Sequence, residues 1–375
     1  MHFGLTKHNL VIIFLTFCIS TVFGQMQLPE QSDSLLSISA VGDVMMGTSF
    51  PPDSSVFPPD TIRFLPPDSG KYLFAQVKHE LRKTDLTFCN LEGPLLDGGT
   101  PRKECKDPDR CYVFRTPAGY IKNIVDAGFN LAGLANNHAR DFKEGMASTK
   151  ALLDSFEIGH SGELFDIAQK EVKGLKVEMI SFAPYDGLYD LLNIDLAGRI
   201  IKRMASRSDI VIVSFHGGAE GSRYTHVPDS MEVFYGEERG HLREFAYCVI
   251  EAGADIVIGH GPHVPRAIEI YKKRLVAYSM GNFCTYEKFN LSGANGLTFI
   301  LQAWLNKNGE FVKGKIIPCR QIDPGFPVID PGKKIFRLLN NLAKEDFPET
   351  GIKINWDGEI IPQVGMKLTE ECQGN

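Results

Sequence analysis

The sequence offers no surplus of positive charge. Forty Lys and Arg stand against 46 Asp and Glu, a formal net charge of −6. That excludes the basic footprint of a nucleic-acid-binding protein. A polyanion would therefore need a local cationic centre, such as a metal, to be held. Long apolar runs are also missing. The run Val11 to Ile19 is short of the roughly 20 residues of a membrane-spanning helix, and no second run of that length follows. There is no internal repeat and no low-complexity segment. No Ser sits in a Gly-flanked nucleophile elbow. The Gly-rich stretch Gly217-Gly218-Ala219-Glu220-Gly221 lacks the Lys and the spacing of a phosphate-binding P-loop.

What is present begins with an export signal. Lys7 and His8 precede the short apolar run, and Gly24 offers a small residue at its end. This predicts a secretory signal peptide over 1–24, with an uncleaved membrane anchor as the alternative. The mature protein is then periplasmic or extracellular. Of eight cysteines, seven remain after the leader, an odd number in an oxidising compartment. Cys105 and Cys111 flank a turn-forming Lys-Asp-Pro-Asp-Arg and form a possible disulfide, a contribution of about 2 kcal/mol on the chain-entropy account. Cys89, Cys248 and Cys284 lie in apolar stretches and read as buried thiols.

The 375 residues, 43% hydrophobic and 23% charged, suffice for one large α/β domain or a domain with an appendage. Strand and helix patterns alternate. Strands are predicted at 36–41, 85–91, 129–135, 177–182, 210–215 and 256–258. Helices are predicted over 71–83, 117–127, 141–156, 200–206 and 241–252. This spacing argues for a mainly parallel sheet covered on both faces. Later strands at 267–271 and 274–278, then 297–304 and 309–317, are joined by short turns and read as antiparallel. A helix is predicted at 336–343.

In open α/β sheets, ligands bind beyond the carboxyl ends of strands. Here successive strands end on potential ligands: Asp43, Glu92, Asn137 with His138, His216 with Glu220, and His260 with His263. Singly, each has a bland explanation, such as a helix cap, an Asx turn or an exposed loop acid. Together, five strand ends point to a shared metal-type site. Carboxylate, amide and imidazole donors suit Mn, Zn or Fe, as one or two ions.

These residues fall in ordered motifs: Val41-Gly42-Asp43-Val44-Met45, Asn90-Leu91-Glu92, Asn136-Asn137-His138, His216-Gly217-Gly218-Ala219-Glu220, Gly259-His260-Gly261-Pro262-His263 and Tyr278-Ser279-Met280-Gly281-Asn282-Phe283. The set resembles the capsule-synthesis CapA family over roughly residues 36–290, with 291–375 left to complete the domain as strands and a helix. The resemblance implies a calcineurin-like metallophosphoesterase fold, a four-layer α/β/β/α sandwich with mixed sheets. It also implies a role in making, exporting or processing an anionic polymer, poly-γ-glutamate in that family, beside envelope biosynthesis proteins. By the same resemblance Asp43, Glu92 and His263 correspond to first-metal ligands. Glu92, Asn137, His216 and His260 correspond to second-metal ligands. His138 corresponds to the histidine that acts on substrate.

Two departures matter: Glu92 stands where metallophosphoesterases have a bridging aspartate. Those enzymes also usually place a histidine two residues after the first aspartate, where this chain has Met45, so the second set is expected to be the firmer one. Glu220 and Asn282 belong to the CapA pattern. Arg223 and Arg266 are candidates for binding substrate or supporting the site. The readings left open are a metal-dependent hydrolase or transferase of a capsule polymer, a metallophosphoesterase acting on phosphoesters, and a non-catalytic assembly or binding module.

Overall fold

The computed structural model describes residues 1–2, 35–50, 64–102 and 112–362. The leader beyond residue 2 and the Cys105–Cys111 pair lie outside these. The first sheet starts with parallel strands β1 (Leu36–Met45), β2 (Leu86–Leu91), β3 (Leu131–Gly133) and β4 (Gly159–Ser161). Helices α1 (Lys78–Leu81), α2 (Ile121–Ala127) and α3 (Gly145–Ser155) lie between them in sequence. A hairpin, β5 (Ala168–Val172) to β6 (Leu175–Ala183), then opens a second sheet. It grows through β7 (Tyr189–Asp190), α4 (Ile194–Ala205) and β8 (Ile210–His216). A separate hairpin follows, β9 (Glu232–Phe234) and β10 (Glu237–Gly240), then α5 (Leu242–Glu251) and β11 (Ile256–His260). The hairpin β12 (Ile268–Tyr271) and β13 (Arg274–Ala277) ends this sheet.

The chain then returns to the first sheet. β14 (Asn282–Thr285) pairs with the C-terminal part of β1, and β15 (Leu297–Leu305) runs antiparallel to its start. β16 (Phe311–Ile322) and β17 (Phe326–Ile329) extend that side. Helix α6 (Lys334–Asp346) and the small hairpin β18 (Ile352–Ile354) and β19 (Ile360–Pro362) end the described chain. The sheets therefore hold eight strands, β17-β16-β15-β1-β2-β3-β4 with β14 on β1, and seven, β12-β13-β11-β8-β6-β5 with β7 on β6.

Side-chain packing gives the layer order. One core lies between the sheets, joining Ile38, Phe88 and Leu301 of the first to Met179, Ile212 and Ile258 of the second. A second core packs Val44, Cys89 and Ala132 against Leu81, Ile124 and Leu153 of α1–α3. A third packs Val211, Val213 and Val257 against Ile201, Phe245 and Val249 of α4 and α5. The order is thus α/β/β/α. Strands buried on both faces read as continuous apolar runs, as Ile210–Val213 does, whereas β16 exposes part of its length.

Several sequence expectations change. The one mainly parallel sheet that the spacing suggested is two mixed sheets, divided where β5 turns back on β6. The helix predicted over 71–83 shrinks to Lys78–Leu81. Before it, Leu73, Ala75 and Val77 donate to Gly70, Tyr72 and Phe74, three residues back, which is 3-10 geometry. The helix predicted from 141 begins only at Gly145, because the backbone before it pairs sideways: Arg102 N–H donates to Asp141 O and Lys143 N–H to Thr100 O. Cys89 and Cys284 are buried free thiols as expected; Cys248 is only half-buried, and Cys319 is a further buried thiol.

Candidate metal centre

The site is assembled where β1, β2, β8 and β11 end together. Asp43 sits at a break in β1, where the strand exchanges β15 for β14. That crossing needs Gly42, since a Cβ there would lie 1.9 Å from the Gly281 carbonyl oxygen. Asp43 N–H donates to that same oxygen at 2.9 Å, which fixes Asp43 beside Asn282. Glu92, one residue past β2, is tied back by its N–H to Val44 O at 2.9 Å. On the second sheet, Gly261 lets two turns touch. A Cβ there would meet Gly217 O at 2.5 Å, and Gly217 N–H donates to His260 O at 2.8 Å. The next turn leaves His263 at φ 58°, which aims its ring back at β1.

Asp43, Glu92 and His263 converge, each with a ligating atom within 4.8 Å of the others. His263 Nδ1 donates to Asp43 Oδ2 at 2.9 Å and to Asn282 Oδ1 at 3.0 Å, and its Nε2 lies 3.8 Å from Glu92 Oε1. Burial alone would lower the His263 pKa, but Glu92 and Asp43 outweigh it and push it up to about 10. His263 is therefore a cation held between two buried carboxylates. Asn90 Nδ2 donates to Asp43 Oδ1 at 2.8 Å, and Asn136 Nδ2 donates to Asn90 Oδ1 at 3.2 Å and Leu91 O at 3.0 Å.

Beyond this cluster the donors look different. His216 is fully buried, with no hydrogen-bond partner at either ring nitrogen. Burial, then the charges of Arg239 and His263, hold its pKa well below the usual histidine value, so it is a neutral imidazole. Asn137 Oδ1 is likewise buried and unpartnered. His260 also reaches β1, but at its backbone, donating from Nε2 to Val41 O at 3.0 Å. Its buried Nδ1 has no hydrogen-bond partner, and burial holds the His260 pKa below the usual histidine value against the opposing pull of Asp43 and of the Val41, Phe215 and Ile258 backbone. These groups suit a cation: two carboxylates, a neutral imidazole and an amide oxygen, of which the His216 ring and Asn137 Oδ1 have no other partner.

His138 is buried beside this cluster. Its Nδ1 pairs with Asp141 Oδ2 at 2.8 Å, and Phe114 stacks on the ring at 4.0 Å. Asp141 also accepts the Phe114 N–H at 2.7 Å, so one carboxylate positions both rings. His138 N–H donates to Asn136 Oδ1 at 3.0 Å. His138, Asn137, His263 and Glu220 line a cavity of about 550 Å³.

The remaining candidates separate. Glu220 pairs with the buried Arg239 at 2.8 Å on the cavity wall. Asn282 contacts His263, as above. Arg266 is not available to a substrate: it is fully buried and forks onto Glu232 at 2.8 and 2.9 Å, with further bonds to Tyr224 O and Ala219 O. It fixes the 217–224 loop. Arg223 is exposed in a neighbouring cavity. Met45 does not face the site as a donor, since its Sδ accepts the Gly47 N–H at 3.2 Å. The sequence reading passed over Asn90 and Asn136, though both stand inside its motifs, and took Asp141 for a helix start. Its spacing three residues after His138 was the available signal.

The bacterial capsule synthesis protein family PGA_cap matches residues 37–287, which span all of these groups. The chain belongs to that family. It is similar to the PGA biosynthesis protein CapA of Bacillus subtilis (strain 168), 28% identical over 329 residues, covering 81% of this chain and 78% of that protein. It is similar too to the capsule biosynthesis protein CapA of Bacillus anthracis, 26% identical over 278 residues, covering 68% of this chain and 61% of that protein. A calcineurin-like phosphoesterase structure from Bacillus subtilis matches 84% of this chain and 97% of its own at 14% identity, with a TM-score of 0.38. So loose a superposition carries no weight for activity. Within the PGA_cap match, the ligand cluster draws on three motifs far apart in sequence, Asp43, Glu92 and His263.

Proposed function

We propose that this PGA_cap protein is exported and acts on an anionic capsule polymer at the cell envelope, as a metal-dependent hydrolase or transferase. The observation that carries the reading is the Asp43–Glu92–His263 cluster beside a histidine oriented by Asp141. Asp43, Glu92 and His263 would hold a divalent metal, with Asn137 and His216 reaching toward the same centre. When bound, such a metal supplies Lewis acidity and an activated water. The protein's own groups do the rest. Asp141 fixes the tautomer and tilt of His138, which then holds or delivers a proton at a substrate atom in the cavity. Phe114 shields that ring from water on one face. Arg239, kept beside Glu220, sets the charge of the opposite wall.

Metal analysis of the mature chain tests this first. The expected result is stoichiometric Mn, Zn or Fe that is lost in Glu92→Gln. No metal above background, with stability unchanged by added metal, would rule out both enzymatic readings. Turnover of a generic aryl phosphate, abolished by His138→Ala, would instead favour the phosphoesterase reading. Met45, whose sulfur is committed to Gly47, favours the remaining reading, a non-catalytic assembly module, since that strand end has one donor fewer.

A further inference from the structure

The central cavity is flanked on both sides. Glu220, Phe234 and Tyr235 line both it and a second space of about 450 Å³ that contains Arg223. Phe289 and Asn290 line both it and a third space of about 740 Å³ that contains Arg320. The three spaces therefore share walls and run in sequence, with His138 and His263 in the middle one. A single small phosphoester would be accommodated by the central cavity alone, since small-ligand sites occupy about 300–1,000 Å³. The flanks would have no use.

We propose that these spaces form one groove that holds a linear, carboxylate-bearing chain across the centre, so that linkages are met inside the chain rather than at its end. Arg223 and Arg320 bind carboxylates of units on opposite sides of the reacting linkage. This rests on the metal-centre reading above for where that linkage lies. Both arginines are exposed, and among the described residues neither is in an ion pair, unlike Arg239 and Arg266. Glu287 and Asp323 share the flank of Arg320, so its attraction acts at contact and not by long-range steering. Between the cations the walls carry Phe114, Phe234 and Phe289, which suit the apolar or planar part of each unit, beside Glu237 and an Arg239-paired Glu220. Lys288 adds a central cation whose pKa burial holds below the usual lysine value.

The test uses full-length mature protein with manganese. Labelled γ-linked glutamate oligomers of two, four, eight and sixteen units are titrated by fluorescence anisotropy, against polyphosphates of matching length. Affinity for the glutamate series should rise with length and then level off. Arg223→Glu and Arg320→Glu should each weaken the longer oligomers by about fivefold to tenfold and leave the dimer unchanged. Affinity that is flat with length, absent at every length, or unmoved by either reversal overturns the groove. Equal or tighter binding of polyphosphate overturns the carboxylate assignment. Metal content, measured in the same preparations, reports separately on the centre: a metal-loaded protein without length dependence loses the groove and keeps the centre.

Discussion

The two sides of the rim are built on opposite plans. On the first-sheet side, polar groups are wired to one another: Asn136 to Asn90, Asn90 to Asp43, and Asp141 to His138. On the second-sheet side, His216 is buried with both ring nitrogens unpartnered. An unsatisfied buried polar group costs about 1–3 kcal/mol. The wired groups keep their geometry without a ligand, while His216, joined by Asn137 Oδ1 from the first side, is completed by one. His263 bridges them, a second-sheet residue engaged by first-sheet carboxylates.

The strongest break in this comparison is on the wired side. His138→Ala should lower turnover by about 10² to 10⁴-fold, the range for losing a general acid or base, with metal content unchanged. Asp141→Asn should lower it less and move the pH profile. Loss of metal in His138→Ala would show that the histidine holds the cluster together and has no proton-transfer role. The next effect is on the second side, where one group is fully satisfied. Arg266→Ala leaves Glu232 buried beside an empty site and should cost about 3–5 kcal/mol in chemical unfolding. A smaller cost would mean that the 217–224 loop is held mainly by its backbone contacts.

Metal affinity compares the halves directly. Glu92→Gln should weaken binding by on the order of 100-fold, and His216→Ala by on the order of 10-fold, read by titration calorimetry. Because His263 carries a proton at neutral pH, binding should release it, and affinity should rise from pH 6 to pH 9. Equal losses for the two variants would erase the distinction between the sides.

The sequence carried the fold's alternation and the place of the site, since strand ends and motif order are local features. Met45 suggested that the Asp43 set would be the poorer one; Asp43, Glu92 and His263 nonetheless bring ligating atoms within 4.8 Å of one another. His260 and His263 were expected on different metals, yet both rings reach β1, His260 at the Val41 carbonyl and His263 at the Asp43 carboxylate from a φ of 58° that residue identity does not fix. Arg266 looked like a substrate contact because its partner, Glu232, lies 34 residues away and is unrelated to any motif. Strand spacing alone hid the division into two sheets, because the strands of either sheet have the same apolar pattern; the family resemblance supplied the four-layer sandwich with mixed sheets that the structure has.

The smallest effect separates two buried histidines by the sign of a slope. His160 lies between Asp166 and Asp154, each at 3.1 Å. Burial would lower its pKa, but Asp166 and then Asp154 outweigh that and raise it above the usual value. A raised folded value means stability that is fully present below the unfolded pKa of about 6.5 and is lost as pH rises through the folded one. His160→Gln should therefore cost about 1 kcal/mol at pH 6, modest because Asp154 is largely exposed, and nearly nothing at pH 9. A constant offset would mean that the ring only packs. His216 has the opposite sign. Its pKa is depressed, so between the folded value and about 6.5 only the unfolded chain binds the proton, and stability falls as pH drops. In metal-free protein, His216→Asn should flatten that acid limb and leave the alkaline side untouched, since an imidazole without partners has no charged form to lose there.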